Sequence, residues 1–193
     1  MYERELLKYR FLNQLAESDG IVIFGGSQDV DIPLGELKQA FALDGNLYNR
    51  SFGGLRAADA VNLFRESVAE LCPDTLLLHI GDADVFDFDS GTFEKNYRAL
   101  IHAIRAKHKN CRIVIVSQKN YENNPVVAGM NDLLKTIASA ETCDFEDVSA
   151  KHSWNPQERS EISTFIHDLG FVRPLNIKRP VYDLVRILFC YEG

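Results

Sequence analysis

The chain has 193 residues, 46% hydrophobic and 25% charged, an ordinary composition for one globular domain with a sizeable core. Its net charge of −7 repels a phosphate backbone and no Lys/Arg run offsets that locally, which excludes nucleic acid as an expected partner. No stretch is apolar enough to cross a bilayer, and the charged start Met1-Tyr2-Glu3-Arg4-Glu5 lacks a signal-peptide core, so the expectation is no membrane and a cytoplasmic location.

Residues 3–17 carry Leu7, Phe11 and Leu15 at four-residue spacing, which predicts an amphipathic helix packed on the rest of the fold. Ile21-Val22-Ile23-Phe24 then reads as a strand buried on both faces, stopped by Gly25-Gly26. Asp31-Ile32-Pro33-Leu34 opens a helix with Leu34, Leu37 and Phe41 inward, and Asp44-Gly45-Asn46 is turn chemistry. A second strand is expected over 47–52, ending in Gly53-Gly54. The stripe Val61, Phe64, Val68 and Leu71 predicts a helix over 57–71, broken by Pro73-Asp74.

A third strand is expected over 75–80, stopped by Gly81 and followed by an acidic loop. The next helix turns Phe93, Tyr97, Leu100, Ile101 and Ile104 inward, and residues 111–116 form the fourth strand. Pro125 opens a helix with Val126, Met130, Leu133, Leu134 and Ile137 on its face. Residues 144–148 are a fifth strand, placed mainly by position. Two last helices run from about Pro156 to Leu169 and from Pro180 to Phe189.

Strands alternating with helices argue for a parallel sheet covered on both faces. The predicted architecture is a three-layer α/β/α sandwich with a flavodoxin-like five-stranded parallel sheet. It forms a single domain over 1–193, with an N-terminal helix and a C-terminal helical extension. That extension, residues 173–193, carries Val181, Leu184, Val185, Leu188 and Phe189. These offer apolar surface to cover the sheet edge, the first expectation, or to join a second subunit as a homo-oligomer. Cys72, Cys111, Cys143 and Cys190 are scattered without a CxxC pair, so reduced and mostly buried thiols are expected rather than a zinc site or disulfide framework.

The carboxyl ends of parallel strands share one edge of the sheet, where ligands usually sit. The loops expected there hold Gly26-Ser27, Gly53-Gly54, Gly81-Asp82-Ala83-Asp84 and Lys151-His152-Ser153-Trp154. A serine, a histidine and glycine amides are the raw material of acyl transfer: the hydroxyl needs a base, and the oxyanion needs preorganised N–H donors. The plainer readings are that Ser27 caps a turn, His152 is an exposed loop residue, and Gly54 is a turn glycine. Of the other histidines, His79 falls within a strand and is expected to be packed, while His102, His108 and His167 fall on predicted helices. Trp154 could line a cleft or close the core.

These residues resemble the four sequence blocks of the SGNH/GDSL hydrolase superfamily, over Ile21 to about Gly170. Phe24-Gly25-Gly26-Ser27 resembles the Gly-Asp-Ser block, and Asn49-Arg50-Ser51-Phe52-Gly53-Gly54 the glycine block after an Asn-containing strand. His79-Ile80-Gly81-Asp82-Ala83-Asp84 resembles the Gly-x-Asn-Asp block, and Ser149-Ala150-Lys151-His152 the Asp-x-x-His block. The resemblance implies hydrolysis of carboxylic esters without a cofactor or a metal, with a small-molecule ester as substrate. It puts the nucleophile on Ser27, the base on His152 and the oxyanion hole on the amides of Ser27 and Gly54.

Three positions depart from the blocks. Gly26 replaces the first aspartate, Ala83 the oxyanion-hole asparagine, and Ser149 the acid that orients the histidine. Asp147 or Asp144 could supply that acid from the same loop. The departures motivate an alternative: a catalytically impaired relative that keeps the fold for binding or assembly. Asp82-Ala83-Asp84-Val85 also resembles the magnesium-binding motif of haloacid dehalogenase-like phosphatases, without that family's position after the first strand. A solvated acidic loop with helix-capping residues is the plainer account.

Overall fold

The computed structural model describes residues 2–41, 43, 45–151 and 178–190, with side chains described from 181 in the last stretch. The order is α1 (Glu3–Asn13), β1 (Ile21–Gly25), α2 (Leu34–Ala40), β2 (Leu47–Asn49), α3 (Ala57–Ser67), β3 (Thr75–His79) and α4 (Ser90–Lys107). There follow β4 (Arg112–Val116), α5 (Pro125–Ala140), β5 (Asp144–Glu146) and the C-terminal helix α6 (Lys178–Phe189). All strand pairs are parallel and the sheet order is β2-β1-β3-β4-β5, the flavodoxin-like arrangement expected.

The period-two alternation of the strands divides two cores. Val22, Phe24, Leu76, Leu78, Ile113 and Ile115 face α1, α3, α4 and α5. Ile21, Ile23, Leu77, Val114 and Val116 face α2 and α6. Two helical layers with a sheet between them make the three-layer α/β/α sandwich. Val181, Leu184, Val185, Leu188 and Phe189 are buried in the second core, so α6 covers a face of the sheet rather than its edge.

Several elements differ from expectation in their bounds or faces. Helix α1 ends at Asn13 rather than near 17, and its apolar stripe is on the outside: Leu7 and Phe11, with Leu15 just beyond the helix, are 66%, 61% and 70% exposed. The helix instead buries Tyr9, whose ring meets Phe52 edge-on at 5.1 Å, with Leu6 and Leu12 packed beside it. Four-residue spacing marks a face but does not say which way it turns. In α5, Val127 is buried and Val126 exposed. Strand β2 covers only Leu47–Asn49; beyond it the Arg50 and Phe52 N–H groups still donate to the Ile23 and Gly25 carbonyls, but the Gly25 N–H turns to Ser51 Oγ instead of a backbone carbonyl.

All four cysteines are free, as expected, but Cys72 is exposed and only Cys190 is buried. Burial pushes the Cys111 and Cys143 thiols up to about 12 and about 11, which keeps both protonated at neutral pH. The expected turn residue Asp44 and the expected helix over 156–169 lie outside the described residues. Among the described residues, no helix is long and apolar enough to cross a membrane.

Candidate active site

Where the sheet order reverses, between β1 and β3, the chain turns left from one strand and right from the other and opens a crevice at their carboxyl ends. The loops after β1, β2 and β3 meet there. Strand β1 ends level with β3, with Gly25 opposite His79, and the Gly26 N–H donates to the His79 carbonyl at 3.1 Å. On the other side the Gly25 N–H donates to Ser51 Oγ at 3.1 Å and the Phe52 N–H to the Gly25 carbonyl at 3.0 Å. Ser27 leaves this seam at the head of a short 3₁₀ turn, Ser27–Asp29, with its side chain exposed.

Two short bonds define the serine. The Gly54 N–H donates to Ser27 Oγ at 2.7 Å, and the Ser27 N–H donates to Asp82 Oδ2 at 2.8 Å. Gly54 can aim its amide this way because it adopts φ 72, a left-handed conformation that a side chain disfavours. Its carbonyl is held from behind by Tyr2 Oη at 2.9 Å. Sequence reasoning thus brought together the right three loops: Ser27, Gly54 and Asp82 stand on one rim. The two amides expected to form the oxyanion hole both converge on this point, one engaged by the serine's own hydroxyl and the other by a carboxylate.

A second group beneath the turn was missed. Asp29, two residues after Ser27, is buried, and its Oδ1 lies 2.8 Å from His79 Nδ1. The Asn49 side-chain amide donates to the Asp29 carbonyl at 2.6 Å, while its oxygen accepts the Ser51 N–H at 2.9 Å. Asn49 therefore ties the loop after β2 to the serine turn. The available signal was Gly25-Gly26: a Cβ at Gly25 would collide with the Asp29 carboxylate, and one at Gly26 with the Asp82 carboxylate. Both glycines make room for acids, which turn chemistry alone does not reveal.

The acidic loop divides its carboxylates among separate tasks. Asp84 accepts from the Ala57 N–H at 3.1 Å at the start of α3, and burial raises its carboxyl above the usual range. Asp87 takes Arg56 with both oxygens, and Asp89 caps α4 through the Thr92 N–H at 2.8 Å. With Asp82 on Ser27 and Asp84 on Ala57, these two carboxylates serve different amides. No group of three or more His, Cys, Asp or Glu among the described residues could hold a metal ion.

Of the acids near the fourth block, Asp144 opens β5, where its Oδ2 accepts from Arg112 Nε at 2.5 Å. Asp147 lies past the carboxyl end of β5, where its Oδ1 accepts from Ser117 Oγ at 2.8 Å and the Ser149 N–H at 2.9 Å. Burial raises this carboxyl, but the bonds from Ser149 and Ser117 outweigh it and hold it below the usual carboxylate range. His152, Trp154 and His167 lie outside the described residues. Beside the serine turn runs a cleft of about 430 Å³ lined by Gln28, Lys119, Asn120, Tyr121, Glu122, Asn124 and Val127.

No protein-family model matches the sequence, and no curated protein matches it either. Solved structures do match. A candidate platelet activating factor from Streptococcus pneumonia is 19% identical, with a TM-score of 0.69 over 99% of this chain and 92% of that one. A GDSL-like lipase from Bacteroides thetaiotaomicron is 15% identical, with a TM-score of 0.60 over 74% of this chain and 77% of that one. An acetylxylan esterase from Geobacillus stearothermophilus is 17% identical, with a TM-score of 0.57 over 84% and 96%. At such identities the likeness is one of fold: the chain has the SGNH-like α/β/α fold.

Proposed function

We propose that the protein is a serine ester hydrolase of the SGNH/GDSL type, acting on a small or acylated substrate through Ser27 and His152. The observation that carries this reading is the 2.7 Å bond from the Gly54 N–H to Ser27 Oγ. It seats a hydroxyl against a backbone donor at the switch point of a fold shared with a GDSL-like lipase and an acetylxylan esterase. In the reaction, Ser27 Oγ attacks the acyl carbon while His152 takes its proton. The carbonyl oxygen becomes an oxyanion held by the Ser27 and Gly54 amides. His152 returns the proton to the departing alkoxide, and water then attacks the acyl-serine with His152 again as base. Asp147 is the acid assigned to orient His152.

A second reading is favoured by one observation, the Asp82 carboxylate on the Ser27 amide. Under it the chain is an impaired relative that keeps the cleft for binding. Turnover of p-nitrophenyl acetate separates the two. The hydrolase reading expects turnover that is lost in Ser27→Ala and falls at least about 10²-fold in His152→Ala. Turnover that survives both substitutions, or none in either the native protein or Asp82→Ala, supports the second reading.

A further inference from the structure

We infer that Asp82 governs the Ser27 site: its carboxylate occupies the amide that would otherwise stabilise the oxyanion and holds the nucleophile in a guarded resting arrangement. This rests on the serine-hydrolase reading above. The Ser27 N–H bonds to Asp82 Oδ2 at 2.8 Å, so an anion already fills the place that developing negative charge requires. One amide hydrogen serves one short bond at a time, and two negative oxygens competing for it repel each other. The reaction therefore proceeds only when the carboxylate withdraws.

Withdrawal is open to it. Among the described residues Asp82 forms no ion pair, and its second bond comes from the adjacent Ala83 N–H at 2.9 Å, which travels with the same loop. The carboxylate fits where it does because residue 26 is glycine: a Cβ there would collide with Asp82. Gly26 and Ala83, which read in sequence as two separate losses from the hydrolase blocks, thus belong to one arrangement. The acid missing at 26 leaves space, a carboxylate from the third loop fills it, and Ala83 offers no side-chain donor to compete for the oxyanion.

The test follows the rate of fluorophosphonate labelling at Ser27 alongside the amide proton shift of Ser27 in ¹⁵N-resolved NMR. Asp82→Ala is expected to raise the labelling rate about tenfold or more, since one oxyanion donor is worth 10²–10³ in rate. The Ser27 amide proton moves upfield as the charged bond is lost. Asp82→Asn, which keeps an acceptor but not the charge, gives a smaller rise and guards against a folding defect in the alanine variant. Ser27→Ala with Asp82→Ala stays unlabelled. An Asp82→Ala rate no higher than native, with native labelling at Ser27, overturns the inference and leaves the hydrolase reading standing. An unmoved amide proton also overturns it. If the proton moves and no variant labels, the hydrolase reading falls and this inference falls with it.

Discussion

His79 Nδ1 and Asp29 Oδ1 lie 2.8 Å apart inside the protein, with both side chains 1% exposed. This buried pair anchors the turn that carries Ser27, because Asp29 closes the turn and His79 ends the central strand β3. The ring also meets Phe189 of α6 edge-on at 4.9 Å, so the C-terminal helix packs against the support of the serine turn. Removing one partner leaves the other buried without its bond. Asp29→Ala is therefore expected to cost about 2–5 kcal/mol in urea unfolding. Gly25→Ala, which drives a Cβ into the same carboxylate, is expected to cost about 1–3 kcal/mol.

Alkaline pH tests the support behind Gly54 and Ser51. Burial pushes the Tyr2 and Tyr9 phenols up from 10.0 to about 12. Their hydroxyls donate to the Gly54 and Ser51 carbonyls. A folded pKa above the unfolded one means that the unfolded chain releases these protons first. Stability is thus full below about pH 10 and is lost as the pH rises toward about 12. Tyr9→Phe is expected to flatten that decline and to cost about 1 kcal/mol at neutral pH. Urea midpoints measured across the alkaline range would check both.

The exterior stripe of α1 predicts tolerance. Leu7→Gln, Phe11→Gln and Leu15→Gln each replace an exposed side chain, so each is expected to shift stability by no more than about 0.5 kcal/mol. Leu184→Ala in α6 empties a fully buried position and is expected to cost about 2–5 kcal/mol. Thermal and urea unfolding of the four variants would separate the two classes.

The architecture was legible because strands buried on both faces leave uninterrupted apolar runs, as in Ile21–Phe24, and because one inward stripe marks a helix such as the one from Phe93 to Ile104. The direction of α1 was not, since apolar spacing is silent about which face meets a neighbour. The meeting of Ser27, Gly54 and Asp82 followed from parallel topology, which sends every carboxyl end to one rim. What Asp82 does there was hidden: its bond to an amide 55 positions earlier depends on a missing Cβ at Gly26. The Asp29–His79 pair was hidden for a like reason, because a histidine inside an apolar strand gives no hint of a carboxylate arriving from another loop.

The central claim is that Ser27 is a nucleophile activated by His152. Intact-mass measurement of the protein after exposure to a fluorophosphonate tests it most directly. The account predicts one adduct, on Ser27, lost in Ser27→Ala and formed at least about 10²-fold more slowly in His152→Ala. No adduct in either the native protein or Asp82→Ala, or an adduct that persists in Ser27→Ala, would contradict it.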